Sequence, residues 1–249
     1  MLTAVLLALS GLAAGIGITA LGPGGVLATI GLFAFTALPP TAVAGTALAT
    51  HVATGLLGTL AYVHSGQLRD PITRRTALIL AATAVVGTPA GVLINSMISG
   101  RAFGLLLAAF VATIAMLVWY RERRATPTVT THRPTTVLVV IGVGVAAASS
   151  VFGVGGPMLT VPLLVLTGAP VLPALAAAQA QSVVIATVGT TGYVLQGAVD
   201  WPLALLVGVP ELAGVLIGWK LARVLPTRRL TCALIVSLLA LAPYLALHG

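Results

Sequence analysis

The sequence predicts an all-α polytopic membrane protein made of two inverted repeats, each a broken-helix hairpin followed by three transmembrane helices. Three observations predict it. Of the 249 residues, 59% are hydrophobic and 6% charged, against about 25% charged in an ordinary soluble domain. Apolar runs near the ~20 residues that a spanning helix needs recur along the chain. A displacement of 131 positions, the interval from Gly22 to Gly153, also pairs glycine, proline, threonine and tyrosine residues of the two halves without a gap.

The first half, residues 1–120, opens on an apolar run at 2–20. No basic segment precedes it, so it is expected to stay as a helix and not be cleaved as a signal peptide. The turn Gly22-Pro23-Gly24-Gly25 interrupts the apolar sequence, a short run follows at 24–37, and longer ones lie at 41–63, 76–94 and 102–120. Glycine and proline are tolerated inside membrane helices where neighbours re-satisfy the freed backbone groups.

A polar, basic linker at 121–134 carries Arg121, Arg123, Arg124, Arg133, Pro127 and Pro134. The second half, residues 135–249, then repeats the order. A run at 135–151 ends at Gly153-Val154-Gly155-Gly156-Pro157, a short run spans 157–168, and longer ones lie at 171–195, 202–221 and 230–247. The displacement pairs Gly24 with Gly155, Gly25 with Gly156, Thr29 with Thr160, Pro39 with Pro170, Tyr62 with Tyr193 and Gly87 with Gly218. Such internal symmetry is a signature of transporter folds built from repeats. Gly87 with Gly91, and Gly214 with Gly218, have the spacing that lets membrane helices approach closely.

Charge sets the topology. The net charge of +8 would suggest nucleic acid for a soluble protein, but here the basic residues flank apolar runs, so the lipid bilayer is the expected partner and nucleic acid is not. Eleven of the twelve Lys and Arg residues fall at 69–75, 121–133 and 220–229. The positive-inside rule makes those segments cytoplasmic, including the linker 121–134, and puts Arg101 and Asp200 outside. An odd number of crossings must then separate the linker from Asp200. With 171–195 crossing once, 135–168 enters and returns, turning at Gly153 to Gly156. The first half does the same at Gly22 to Gly25 from the opposite face, and both termini are expected outside.

The two breaks are the first candidate binding site, through Gly22, Gly24, Gly25, Gly153, Gly155 and Gly156. Each offers glycine backbone and then starts a short helix, with Pro157 near the favoured first-turn position. Amides and the helix dipole at such a start favour an anion, by about 0.3–1 kcal/mol each and up to ~2 when partly buried. The simpler alternative is that the glycines only permit tight turns and close packing. Thr46, Thr50 and His51, with Gln179, Gln181 and Ser182 in the other half, are polar inside apolar helices and are candidates to line a solute path, against bonding within or between helices.

Glu211, the acidic residue well inside an apolar run, is a candidate coupling group, against capping the broken helix beside Pro210 or pairing with a neighbouring base. Tyr62, Tyr193, Trp119, Trp201 and Trp219 near run ends read as interfacial anchors. Cys232 stands alone in an apolar run and reads as packing. The four histidines, His51, His64, His132 and His248, have no metal-ligand spacing, and no nucleophile elbow is present. No catalytic or metal residues and no cofactor are assigned, and an enzyme is not expected.

The duplicated glycine-rich turns, each followed by a short helix containing Thr and Pro, resemble the sulfite exporter TauE/SafE family of membrane permeases. Gly45-Thr46-Ala47 is similar to that family's Gly-Thr-Ser pattern, and Tyr62 to Gly66 and Tyr193 to Gly197 match its Tyr-x3-Gly endings. The chain departs from it with Ala47 where Ser is usual and with Ala176-Ala177 in place of Gly-Thr in the second half. The resemblance implies export of a small sulfur-containing anion, such as sulfite or an organosulfonate, across the bacterial plasma membrane by alternating access. Moving a monoanion out of a negative interior is favoured by about 2.3 kcal/mol per 100 mV, so efflux would need no obligatory proton partner. Two other readings fit the scaffold: a permease for a metal cation or a neutral sulfur compound using Glu211 and His51, and a membrane assembly factor without transport.

Overall fold

A computed structural model of the chain describes residues 1–20, 22–123 and 133–224. The expected helix at 230–247, Cys232, His132, His248 and most of the basic linker lie outside the described residues. The described part is built from helices α1 (Leu2–Ala20), α2 (Val26–Phe35), α3 (Pro40–His64), α4 (Pro71–Ser96), α5 (Gly100–Arg123), α6 (Thr135–Phe152), α7 (Pro157–Leu166), α8 (Val171–Leu195) and α9 (Trp201–Val224). Seven of these are long and apolar enough to cross a membrane, while α2 and α7 are short apolar helices of ten residues each.

Proline and capping chemistry explain where several helices start. Pro40, Pro71 and Pro157 are the first residues of α3, α4 and α7, where the missing N–H costs nothing and φ is already suitable. Asp70 caps α4, accepting from the Thr73 amide and hydroxyl at 2.8 Å each. Those bonds stabilise the carboxylate, with the Thr73 backbone bond as the largest cause, and hold its pKa below the usual value. Displacement by 131 positions carries α2 onto α7 and α3 onto α8 with the same bounds.

Packing follows the same exchange. α1 lies along α9 as α6 lies along α4, α2 meets α3 as α7 meets α8, and α3 and α8 lie against each other. Small residues make the closest of these contacts possible. A Cβ at Gly91 would overlap the Ala147 carbonyl on α6, and one at Gly214 would overlap the Leu12 carbonyl on α1. Between halves, Thr19 donates to the Val215 carbonyl at 3.1 Å and Arg75 to Thr135 Oγ1 at 2.7 Å.

α5 joins through aromatic packing. Phe103 sits between Phe33 and Phe152, with ring centroids 5.3 and 5.8 Å away, and Phe110 lies 4.5 Å from Phe152. Large apolar side chains cover the periphery, among them Leu60, Val86, Met116, Val140 and Leu195, as expected for a surface facing lipid tails. Trp119 and Trp201 are also exposed. Tyr193 departs from the anchor reading: it is fully buried and its hydroxyl donates to the Ser150 carbonyl at 2.8 Å. Tyr193 stands near the C-terminal end of α8, but the neighbouring helices cover it.

Candidate functional site

The two breaks have different local geometry and one destination. After α1, Gly22 adopts φ of 96°, and Pro23–Gly25 form a single 3-10 turn before α2 begins. After α6, Gly153 adopts φ of 71° and closes the helix, with the Val154 amide donating to the Ser149 carbonyl at 2.8 Å. These positive φ values lie in the region where a side chain would be strained. Each short helix starts from glycine, Gly25 for α2 and Gly156 for α7, so neither has a side-chain cap for its first amides.

Gly22 and Gly25 from the first break and Gly155 and Pro157 from the second line one buried cavity. His51 and Thr54 of α3 and Gln179 and Ser182 of α8 complete its polar wall. Ser182 Oγ accepts from the Gly156 amide at 3.3 Å, and a Cβ at Gly155 would come within 3.0 Å of that oxygen. The cavity measures about 10 Å³, near the least that admits one water. Two helix N-termini therefore converge on a cavity whose polar side chains are His51, Thr54, Gln179 and Ser182, with Thr54 donating to the His51 carbonyl at 3.2 Å.

The remaining candidates are placed elsewhere. Gly24 packs against Gly17, and Gly153 against the backbone of Ala44. Thr46 Oγ1 accepts from the Asp200 amide at 3.0 Å, at the start of α9, and Thr50 donates to the Ala47 carbonyl at 2.8 Å. Gln181 is buried between helices, accepting from Thr160 Oγ1 at 2.6 Å and donating to the Gly142 carbonyl at 3.1 Å. Thr54 was not among the sequence candidates, although it lies one turn beyond Thr50 and His51 and so continues their polar stripe.

Glu211 lies behind His51 as seen from the cavity. The His51 Nε2 to Glu211 Oε1 distance is 3.4 Å, and both side chains are buried. Elsewhere among the described residues, no group of three or more His, Cys, Asp and Glu side chains converges.

Sequence comparison places this architecture. A family model described as sulfite exporter TauE/SafE matches residues 7–245. The chain belongs to the sulfite exporter TauE/SafE family. This TauE/SafE chain is 26% identical over 198 residues to the probable membrane transporter protein YdhB of Bacillus subtilis (strain 168), a match covering 78% of this chain and 79% of the relative. It is also 28% identical over 155 residues to a probable membrane transporter protein of Xylella fastidiosa (strain 9a5c), covering 59% of this chain and 58% of that one. No solved structure matches it. With seven apolar helices of spanning length, this TauE/SafE protein is a multi-pass membrane transporter.

Proposed function

We propose that the transported solute is a small sulfur-containing anion, such as sulfite or an organosulfonate, carried outward across a bacterial plasma membrane. The observation that carries this reading is the meeting of two helix N-termini, one from each half of the chain, at one small buried cavity to which Gln179 and Ser182 contribute polar groups. An anion held between Gly25 and Gly155 would face both helix dipoles, with Ser182 and Gln179 as neutral donors. Family membership supports a sulfur oxyanion over other anions of similar size.

At about 10 Å³ the cavity is too small for such an ion, so solute must be admitted by movement of surrounding helices. In this reading the halves are inverted, the linker is cytoplasmic and both termini are outside. The two halves rock about the paired breaks and expose the site to each side in turn.

The test is flux in proteoliposomes loaded with sulfite or with methanesulfonate. Saturable efflux is expected, falling at least tenfold in Gly155→Val while the protein keeps its melting temperature. No flux of any sulfur oxyanion, or flux unchanged in both Gly25→Val and Gly155→Val, would refute the reading.

A further inference from the structure

We infer that His51 and Glu211 form a proton site at the back of the cavity, and that the anion travels with one proton as an electroneutral pair. The inference rests on the anion reading above and adds the co-transported ion. His51 Nδ1 lies 2.6 Å from the Ala47 carbonyl, and a carbonyl only accepts, so Nδ1 carries a hydrogen and Nε2 is the nitrogen that gains or loses one.

Nε2 faces Glu211 Oε1 at 3.4 Å, with side-chain exposures of 2% and 0%. Nε2 has no hydrogen-bond partner, and the Thr50 hydroxyl is the polar neighbour of the Glu211 carboxylate. An imidazole lone pair and an ionised carboxylate held this close, both buried, repel, whereas a single proton held by either group makes the pair neutral overall. One proton is therefore resident.

The cavity supplies the place for a second. A Cβ built on Gly25 would lie 2.7 Å from Nε2, and one on Gly155 would lie 3.6 Å from Cδ2, so the imidazole edge abuts the glycines of both breaks. His51 lines the cavity and Glu211 does not, so a proton from the cavity reaches Glu211 through His51. With an anion present, one added proton yields an imidazolium beside a neutral carboxyl, and its charge of +1 balances the −1 of a monoanion. On release both leave: the anion goes to solvent, the added proton follows from Nε2, and the pair returns to its one-proton state.

Few other charges bear on the pair. α1, α2 and α6 contain no titratable side chain. On α8 the Tyr193 hydroxyl is engaged by Ser150. Arg74 and Arg75 are exposed in the first turns of α4. On the helices of the pair itself, Tyr62 and His64 lie three turns or more beyond His51 on α3, Asp200 caps the start of α9 about three turns before Glu211, and Lys220 and Arg223 lie more than two turns beyond Glu211. Because His51 belongs to α3 and Glu211 to α9, relative movement of these helices alters the Nε2 to Oε1 separation and with it the hold on the proton.

Methanesulfonate separates this from simple anion conduction, since it stays ionised and carries no proton itself. In proteoliposomes containing a trapped pH dye, with the potential set by potassium and valinomycin, methanesulfonate efflux is expected to make the lumen more alkaline. Its steady accumulation ratio should ignore the potential and follow a pH difference, tenfold per unit. A uniporter would instead show about 50-fold accumulation at 100 mV and no dye signal, which would overturn the inference while leaving anion transport intact. No methanesulfonate or sulfite flux in the unmodified protein would refute the anion reading and this inference with it. Glu211→Gln should abolish the dye signal and make the remaining flux follow the potential. The unmodified protein decides the matter if that variant fails to fold.

Discussion

Thr29 Oγ1 donates to the main-chain carbonyl of Gly153 across 3.1 Å, so the short helix that follows one break holds the helix cap of the other. Thr29→Val keeps the shape and leaves a buried carbonyl unpaired, at a cost of about 1–3 kcal/mol. A lower melting temperature in detergent is expected together with reduced flux. Unchanged stability would mean that the two breaks are held together by packing alone.

Gly91 tests the close approach of α4 to α6. Gly91→Leu drives a side chain into the Ala147 carbonyl, and such overpacking costs about 1–3 kcal/mol or more. Gly144→Ala is the matched control, because a Cβ there meets nothing within 4 Å; the greater helix propensity of alanine should leave stability equal or slightly raised. Thermal unfolding of the two variants in one detergent checks both.

Gln181 and Ser182 are neighbours in sequence with separable roles. Gln181→Leu leaves the Thr160 hydroxyl without its acceptor and removes the side-chain bond to the Gly142 carbonyl and should lower stability by about 1–3 kcal/mol, with KM for the anion unchanged in the protein that folds. Ser182→Ala frees the Gly156 amide at the cavity and should raise KM with little change in melting temperature. Flux kinetics and thermal unfolding on the same preparations distinguish the two patterns.

Asp70 makes stability depend on pH in a defined direction. Its carboxylate pKa is lowered in the folded state, chiefly by the Thr73 backbone amide and then by the Thr73 hydroxyl. The stabilisation is therefore complete above the ordinary value of about 3.9 and is lost as pH falls from there through the depressed folded value. Asp70→Ala should melt lower than the unmodified protein at pH 7, with the gap closing under acid conditions below about pH 4.

The breaks were legible because glycine and proline punctuate an otherwise apolar sequence, and because the same punctuation recurs 131 positions later. Helix starts at Pro40, Pro71 and Pro157 were legible for the same reason. Which polar residues face the cavity was harder to read. Gln179 and Gln181 are two positions apart, about 200° around a helix, and α8 is surrounded by α3, α4, α6 and α7, so no polar face announces the site. His51 and Glu211 stood out together as polar groups inside apolar runs, but their direct contact was not legible from the repeat: by the displacement their counterparts are Ser182 and Leu80, so the internal symmetry gave no pointer to it. Tyr193 looked like an anchor because the apolar run ends there, yet tertiary packing covers it.

The contact of α1 with α9 has a consequence for biosynthesis. Of the described helices α1 leaves the ribosome before all the others and its partner α9 after them, so at ~5–20 residues per second it waits roughly 10–40 s for that partner. Through that interval its glycine face at Gly11 and Gly15, which finally meets Val207 and Glu211, must be sheltered by lipid or by the insertion machinery. Half-chains divided at the linker are thus expected to become protease-resistant when synthesised together in one membrane, and to remain cleavable when either is made alone.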